Sequence, residues 1–256
     1  MSGSALAAAF AGISVLQLLA IAAMGVLTSL IGGVAGYGTG ALMPLVLVPI
    51  VGAAPLVPIT TISALMTNSS RATAFRKAID WRRAAIVLVA GLPTCMLGAW
   101  GYTLLTSAGV LILIGSMLVL SVPLRRALRK RGVRLDDRRL AGASLAWGLL
   151  MGGTSGAGVI LLAMLMGAGL DGAAVIATDA VVSVALGLIK FGVFAAAGVI
   201  TAQVVAVALL IGVVALPGAF LARALVKRLP IHVHAAMLDA VVIVGGAVMI
   251  MGALRR

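Results

Sequence analysis

The sequence contains no glutamate, a single cysteine and two histidines, and only 4% of its 256 residues are aromatic and 10% charged. Each shortage excludes something. Soluble domains carry roughly 25% charged residues, so so little charge argues against a soluble fold. Cys95 alone cannot form an internal disulfide and offers no thiolate framework for a metal. With all six acids being aspartate, part of the net charge of +13 is a lack of acids rather than a wealth of bases. No Lys or Arg precedes Leu30, so the first apolar segment lacks the positive leader of a secretory signal and is expected to be retained.

Hydrophobic residues make up 63% of the chain and the mean hydropathy is +1.26. Each membrane crossing needs about 20 apolar residues, so the chain can cross many times with nothing left over for a soluble domain. The expected fold is all-α: a polytopic membrane protein forming one membrane domain. Basic residues gather in short gaps at 76–83, 125–139 and 223–228. Cytoplasmic loops have this composition under the positive-inside rule, and no nucleic-acid partner is needed to explain it.

Apolar segments run at 10–31, 39–51, 56–75, 84–105 and 107–124, then at 140–152, 158–169, 172–197, 201–222 and 235–254. Segments 39–51, 140–152 and 158–169 are too short to span about 30 Å as helices and read as half-spans or re-entrant pieces. The glycine-rich stretch GGVAGYG at 32–38 returns as GGTSGAG at 152–158, 120 positions on, with all four glycines in register. LPTCMLG at 92–98 likewise matches LPGAFLA at 216–222, and NSSR at 68–71 lies opposite GLIK at 187–190. Three landmarks in one order mark a duplicated unit of about five segments. The expected organisation is a first repeat at 1–124, a basic cytoplasmic connecting loop at 125–139 and a second repeat at 140–256.

Loop charge sets the orientation. RKAIDWRR at 76–83 is basic while its counterpart near 195–203 is uncharged; the loop at 103–107 is uncharged while its counterpart near 223–228 is basic. Equivalent loops therefore face opposite sides, as in an inverted repeat. Arg255 and Arg256 fall outside in this scheme, a minor violation.

Broken helices survive in a membrane only inside protein or beside a watery cavity, because an unpaired backbone group in hydrocarbon costs several kcal/mol. Breaks at equivalent places in inverted halves would meet near the midplane, where helix N-termini offer N–H groups and partial positive charge to an anion. The two glycine stretches thus read as lips of a substrate site; close helix packing by small residues is the plainer alternative.

Ionisable residues at depth sharpen this picture. Lys190 lies in LGLIKFGVFAAAGVI, and its counterpart Arg71 lies nearer the basic inner loop. A charge so placed is a functional candidate, with snorkelling as the alternative. Asp179 is the acid set well inside a segment. Segments three and eight should run antiparallel, which puts Arg71 level with Asp179 and Lys190 level with Thr60 and Thr61. An Asp179–Arg71 pair that opens to substrate or to a proton would couple transport to proton movement; a fixed structural pair is the alternative. His232 and His234 lack further metal ligands, and Ser155, Cys95 and the histidines have no triad spacing. Pro93 and Pro217 are repeat-symmetric kink positions.

The order of landmarks — glycine-rich break, half-span, Thr-Thr/Ser run, basic residue, AIDWRRA, LP-x4-G — resembles the sulfite exporter TauE/SafE family over nearly the whole chain, with GGTSGAG, ATDAVVS and LGLIKFGVF as its second copy. The resemblance implies a secondary transporter of the bacterial cytoplasmic membrane that moves sulfite, sulfonates such as sulfoacetate, or related small anions. By matching position it implies Gly36, Gly38, Thr61, Asn68 and Arg71 as substrate-binding residues in the first repeat, and Gly156, Gly158, Thr178 and Lys190 in the second. Thr60 joins them by its depth. Two departures bear on substrate and coupling ion: Asp179 stands where an uncharged residue is expected, and Gly187 where an asparagine would match Asn68.

The expected function is therefore alternating-access transport of a small anion. A passive anion channel shares the same site logic; an intramembrane enzyme lacks an assembled nucleophile, base or metal set, and a membrane scaffold would not need buried cations. No cofactor is called for. The expected partners are the anion and the lipid bilayer, with a homodimer left open.

Overall fold

A computed structural model describes residues 8–35, 39–130, 134–225, 243 and 246–254. Among these residues the fold is helical, with no strand. The helices are α1 (Val15–Ala35), α2 (Thr39–Val51), α3 (Leu56–Ala74), α4 (Trp81–Thr103), α5 (Ser107–Lys130), α6 (Asp137–Gly153), α7 (Gly158–Gly167), α8 (Gly172–Ala196) and α9 (Ala202–Leu225). A 3-10 turn at Arg76–Ala78 precedes α4, and residues 246–254 are helical.

Side chains explain where several helices begin. Asp80 caps α4 by accepting from the Arg83 N–H at 2.9 Å, and Asp136 caps α6 by accepting from the Arg139 N–H at 2.8 Å. The turns after α2 and α7 each carry a left-handed glycine, Gly52 (φ 85°) and Gly169 (φ 89°). Such a residue stops a helix by letting the chain fold back under its last carbonyls. The same device closes the same turn in both halves.

Large apolar side chains lie both inside and outside. Ile21, Met43, Leu161 and Trp147 are buried, while Leu16, Val89, Leu97, Trp100, Leu188 and Val213 are exposed. A helix that is apolar on every face suits a lipid surround. By length and composition α4 and α8 can each cross a membrane. With 13 and 10 residues, α2 and α7 reach only about 20 and 15 Å, well short of a bilayer core.

The helices overrun two of the expected boundaries. Within 125–139, α5 continues to Lys130 and α6 begins at Asp137. The reason is composition, since Leu, Ala, Arg and Lys are good helix formers whether or not they lie in the apolar band. Likewise 140–152 is part of a 17-residue helix, longer than its apolar core, because the Asp136 cap draws in the polar turn at 137–139.

Among the described residues, the main pairings of the longer helices are unchanged when the two halves exchange places. Aligned on their glycine stretches, α1 corresponds to α6, α3 to α8 and α4 to α9. The observed contacts are α1 on α9 and α6 on α4, α3 on α9 and α8 on α4, and α3 on α8, which maps onto itself. Glycines permit the closest of these crossings: a Cβ on Gly98 of α4 would collide with Leu149 O, and one on Gly152 of α6 with Cys95 O. Two apolar clusters result, one containing Ile21, Met43, Leu47 and Ile211, the other Leu140, Trp147, Leu161 and Leu165. Polar side chains of α3 and α8 are buried in the same interior.

Candidate functional site

The second glycine stretch interrupts the helix. The second break is fully described: α6 ends at Gly153, residues 154–157 are not helical, and α7 starts at Gly158. Gly156 sits at φ +97°, a conformation side chains rarely adopt. In the first half α1 ends at Ala35 and α2 starts at Thr39. Gly36 and Gly38, expected to bind substrate, lie outside the described residues.

The second break touches the first turn of α2, in the other half. Ser155 Oγ donates to Gly40 O at 2.8 Å, and a Cβ on Gly40 would lie 2.7 Å from Gly156 N. Sequence explains why that carbonyl is available. Gly40 O would ordinarily accept from the N–H four residues on, but that residue is Pro44, inside α2, which has none. The proline frees an acceptor on one half and the serine of the other half takes it. Trp147 steadies the second break, its Nε1–H donating to Ala157 O at 2.9 Å.

α3 and α8 bury Thr60, Thr61, Ser63, Asn68, Arg71, Thr178, Asp179, Ser183 and Lys190. Arg71 Nη2 donates to Asp179 Oδ2 at 3.2 Å, so the pair expected from depth forms, and Asn68 Oδ1 accepts from the same nitrogen. Asp179 Oδ1 is buried without a hydrogen-bond partner and lies 4.0 Å from where a Cβ on Gly158 would stand, beside the start of α7. Lys190 turns to the main chain instead: Nζ donates to Met151 O at 2.8 Å and Thr154 O at 3.2 Å, at the C-terminal end of α6.

The hydroxyls fare differently. Thr60 donates back to its own helix, at Leu56 O and Val57 O, and Thr61 Oγ1 is buried with no partner. Thr178 Oγ1 accepts from the Asp80 N–H at 3.0 Å, tying the loop after α3 to α8. Gly187 is small because Leu65 of α3 fills the space beside it; a Cβ there would lie 2.8 Å from Leu65 Cδ2. An asparagine matching Asn68 would have to displace the Leu65 side chain.

Each end of α4 is fastened to one of the two equivalent turns. Near its start Arg83 pairs with Asp80 at 2.8 Å and reaches Ala168 O, after α7, at 3.4 Å. Near its end the Tyr102 hydroxyl bonds Ala54 O at 2.9 Å, between α2 and α3, and packs its ring against Phe194. Burial raises the pKa of the Asp80 carboxyl, but the Arg83 N–H, guanidinium and charge together outweigh it and hold the carboxyl below its ordinary 3.8.

Gly40, Pro44, Trp147 and the carbonyls of Met151 and Thr154 were not singled out from sequence. A proline four residues after a glycine in a half-span was the available signal for the first. Pro93 and Pro217 lie inside α4 and α9. His232 and His234 fall outside the described residues, among which no cluster of metal-ligating side chains occurs.

Apolar helices, two of them short and following glycine-rich stretches, with Arg71, Asp179 and Lys190 buried among them, define an integral membrane protein with a polar interior. The family model described as "Sulfite exporter TauE/SafE" matches residues 21–249, nearly the whole chain. The chain belongs to that family and is thereby a membrane transporter of the class that handles sulfite or related anions, a class of transporters rather than enzymes. No curated protein and no solved structure matches it.

Proposed function

We propose that the chain is a secondary transporter that moves sulfite or a small organosulfonate such as sulfoacetate by alternating access, with the anion held where the two glycine breaks meet. The observation that carries this reading is the Ser155–Gly40 contact, which joins the break of the second half to the first turn of α2 in the first half. Around it, Arg71 supplies a guanidinium whose planar donors suit an oxyanion, the N-terminus of α7 supplies N–H groups, and Thr61 supplies a hydroxyl with no other partner. Asn68, Thr60, Thr178 and Lys190 complete the set, with Gly36, Gly38, Gly156 and Gly158 giving the backbone close approach. Lys190 has one N–H beyond the two it gives to carbonyls.

The exchange-symmetric packing supports an inverted repeat, in which one half rocks against the other about a fixed midplane site. Basic residues at 76–83 and 125–139 support the cytoplasmic side of a bacterial inner membrane for those segments. Asp179 gives a route to proton coupling: neutralising its carboxyl would release Arg71 to the substrate.

Uptake of labelled sulfite and a panel of small sulfonates into proteoliposomes, with and without a pH gradient, tests the proposal. Accumulation above the external concentration, driven by the gradient, is expected. Equilibration without accumulation would make the protein a passive channel, and no anion flux would overturn the reading.

A further inference from the structure

Lys190 is the most deliberately placed charge in the molecule. The residue is 4% exposed, and its two acceptors belong to main chain rather than to an acid or a hydroxyl. Both acceptors lie just past the last helical bond of α6. The ladder closes with Thr154 N–H on Leu150 O, and Thr154 then turns to extended geometry (φ −130°, ψ 172°). Met151 O is thus the first carbonyl without a helical donor, and Thr154 O lies beyond it. The C-terminal end of a helix carries roughly half a negative charge, and unpaired carbonyls in a dry interior add to it. Asp179, the acid on the same helix, is turned to Arg71. What draws the ammonium is therefore a helix end.

Half-helix C-termini and unwound carbonyls of this kind are where secondary transporters coordinate dissociable coupling cations. We propose that the Lys190 ammonium is a tethered replacement for such an ion, occupying a small-monovalent-cation position formed by Met151 O and Thr154 O. The broken helix then keeps its counter-charge at all times. The second half needs no sodium to hold its break, and its contribution to the cycle does not depend on a sodium gradient. The inference stands on the geometry of α6 and Lys190 and not on the identity of the transported anion. Removing the side chain is expected to expose the vacated position to a free cation of similar charge and size.

The test uses full-length wild type, Lys190→Ala and Lys190→Met purified in detergent, the methionine keeping most of the stem that a cavity would lose. Thermal midpoints are followed by tryptophan emission, which includes Trp147 on the break itself. Methylammonium chloride or sodium chloride replaces choline chloride at constant ionic strength, so that only the nature of the cation changes. No transport is required, so failure here is separable from failure of the anion reading. Both variants are expected to melt below wild type in choline. Lys190→Ala is expected to recover through a saturable rise with methylammonium or sodium, as mass action on a vacated site requires. Lys190→Met, its stem still blocking the position, is expected to recover less, and wild type to be indifferent. The proposal is overturned if neither small cation stabilises Lys190→Ala more than choline does, or if wild type is itself stabilised by sodium through a saturable site.

Discussion

Arg71 Nη2 donates to Asp179 Oδ2 across the α3–α8 interface at 3.2 Å, while the other oxygen of that carboxylate, Oδ1, is buried without a hydrogen-bond partner beside the first residue of α7. One side chain thus pairs with a basic residue of the first half and leaves an unpartnered oxygen beside α7 of the second. A half-satisfied buried carboxylate is costly, which makes its free oxygen the place to test for a coupling role.

Asp179→Asn preserves shape and removes that choice. If the pair couples transport to protons, the variant should still move the anion down its gradient but should no longer respond to an imposed pH difference. Transport by wild type and variant across a series of external pH values checks this. An unchanged pH response in Asp179→Asn would reduce the pair to a structural contact.

Gly40 and Gly156 should each reject a methyl group, for different reasons. At Gly40 the added Cβ meets backbone, Gly156 N, at 2.7 Å; at Gly156 the φ of +97° is strained for any L side chain. Overpacking and backbone strain each cost about 1–3 kcal/mol. Gly40→Ala and Gly156→Ala are expected to lower the thermal midpoint by several degrees and to depress transport. Gly142→Ala, where nothing lies within 4 Å of the added carbon, is the control and should do neither.

The Asp80 cap supplies a pH dependence outside the membrane-spanning segments. Its carboxyl titrates below the ordinary 3.8 in the folded protein because of Arg83, so the stabilisation is present above pH 3.8 and is lost as pH falls through the lowered folded value. The stability difference between wild type and Asp80→Ala should hold steady from neutral pH to about 5 and shrink below 3.8. Thermal melts over that range measure it; a difference that grows on acidification would contradict the assignment.

Much of the architecture was legible because lipid imposes simple rules. Apolar runs had to be helices, so the segments at 56–75 and 172–197 reappear as α3 and α8 within a residue or two. The glycines at 152–158 marked the described interruption because a left-handed residue such as Gly156 leaves that trace in sequence. Depth along antiparallel helices was enough to pair Arg71 with Asp179. Main-chain acceptors were not legible. Any residue has a carbonyl, so nothing in the sequence marks Met151 and Thr154 as the partners of Lys190, and Gly40 became an acceptor only through the absent N–H of Pro44. The extension of α5 to Lys130 was missed for another reason: apolar runs report where the lipid ends, and a helix can continue past it.

The central claim, that an anion sits at the meeting of the two breaks and is held there by Arg71, is tested most directly by equilibrium binding of labelled sulfite to purified protein. Asp179→Asn is compared with Asp179→Asn/Arg71→Gln, so that no buried carboxylate is left unpaired by loss of the guanidinium. Losing a hydrogen bond to a charged group removes about 1.5–3 kcal/mol, so the double variant should bind sulfite roughly tenfold or more weakly than Asp179→Asn. Equal affinity in the two would contradict the account.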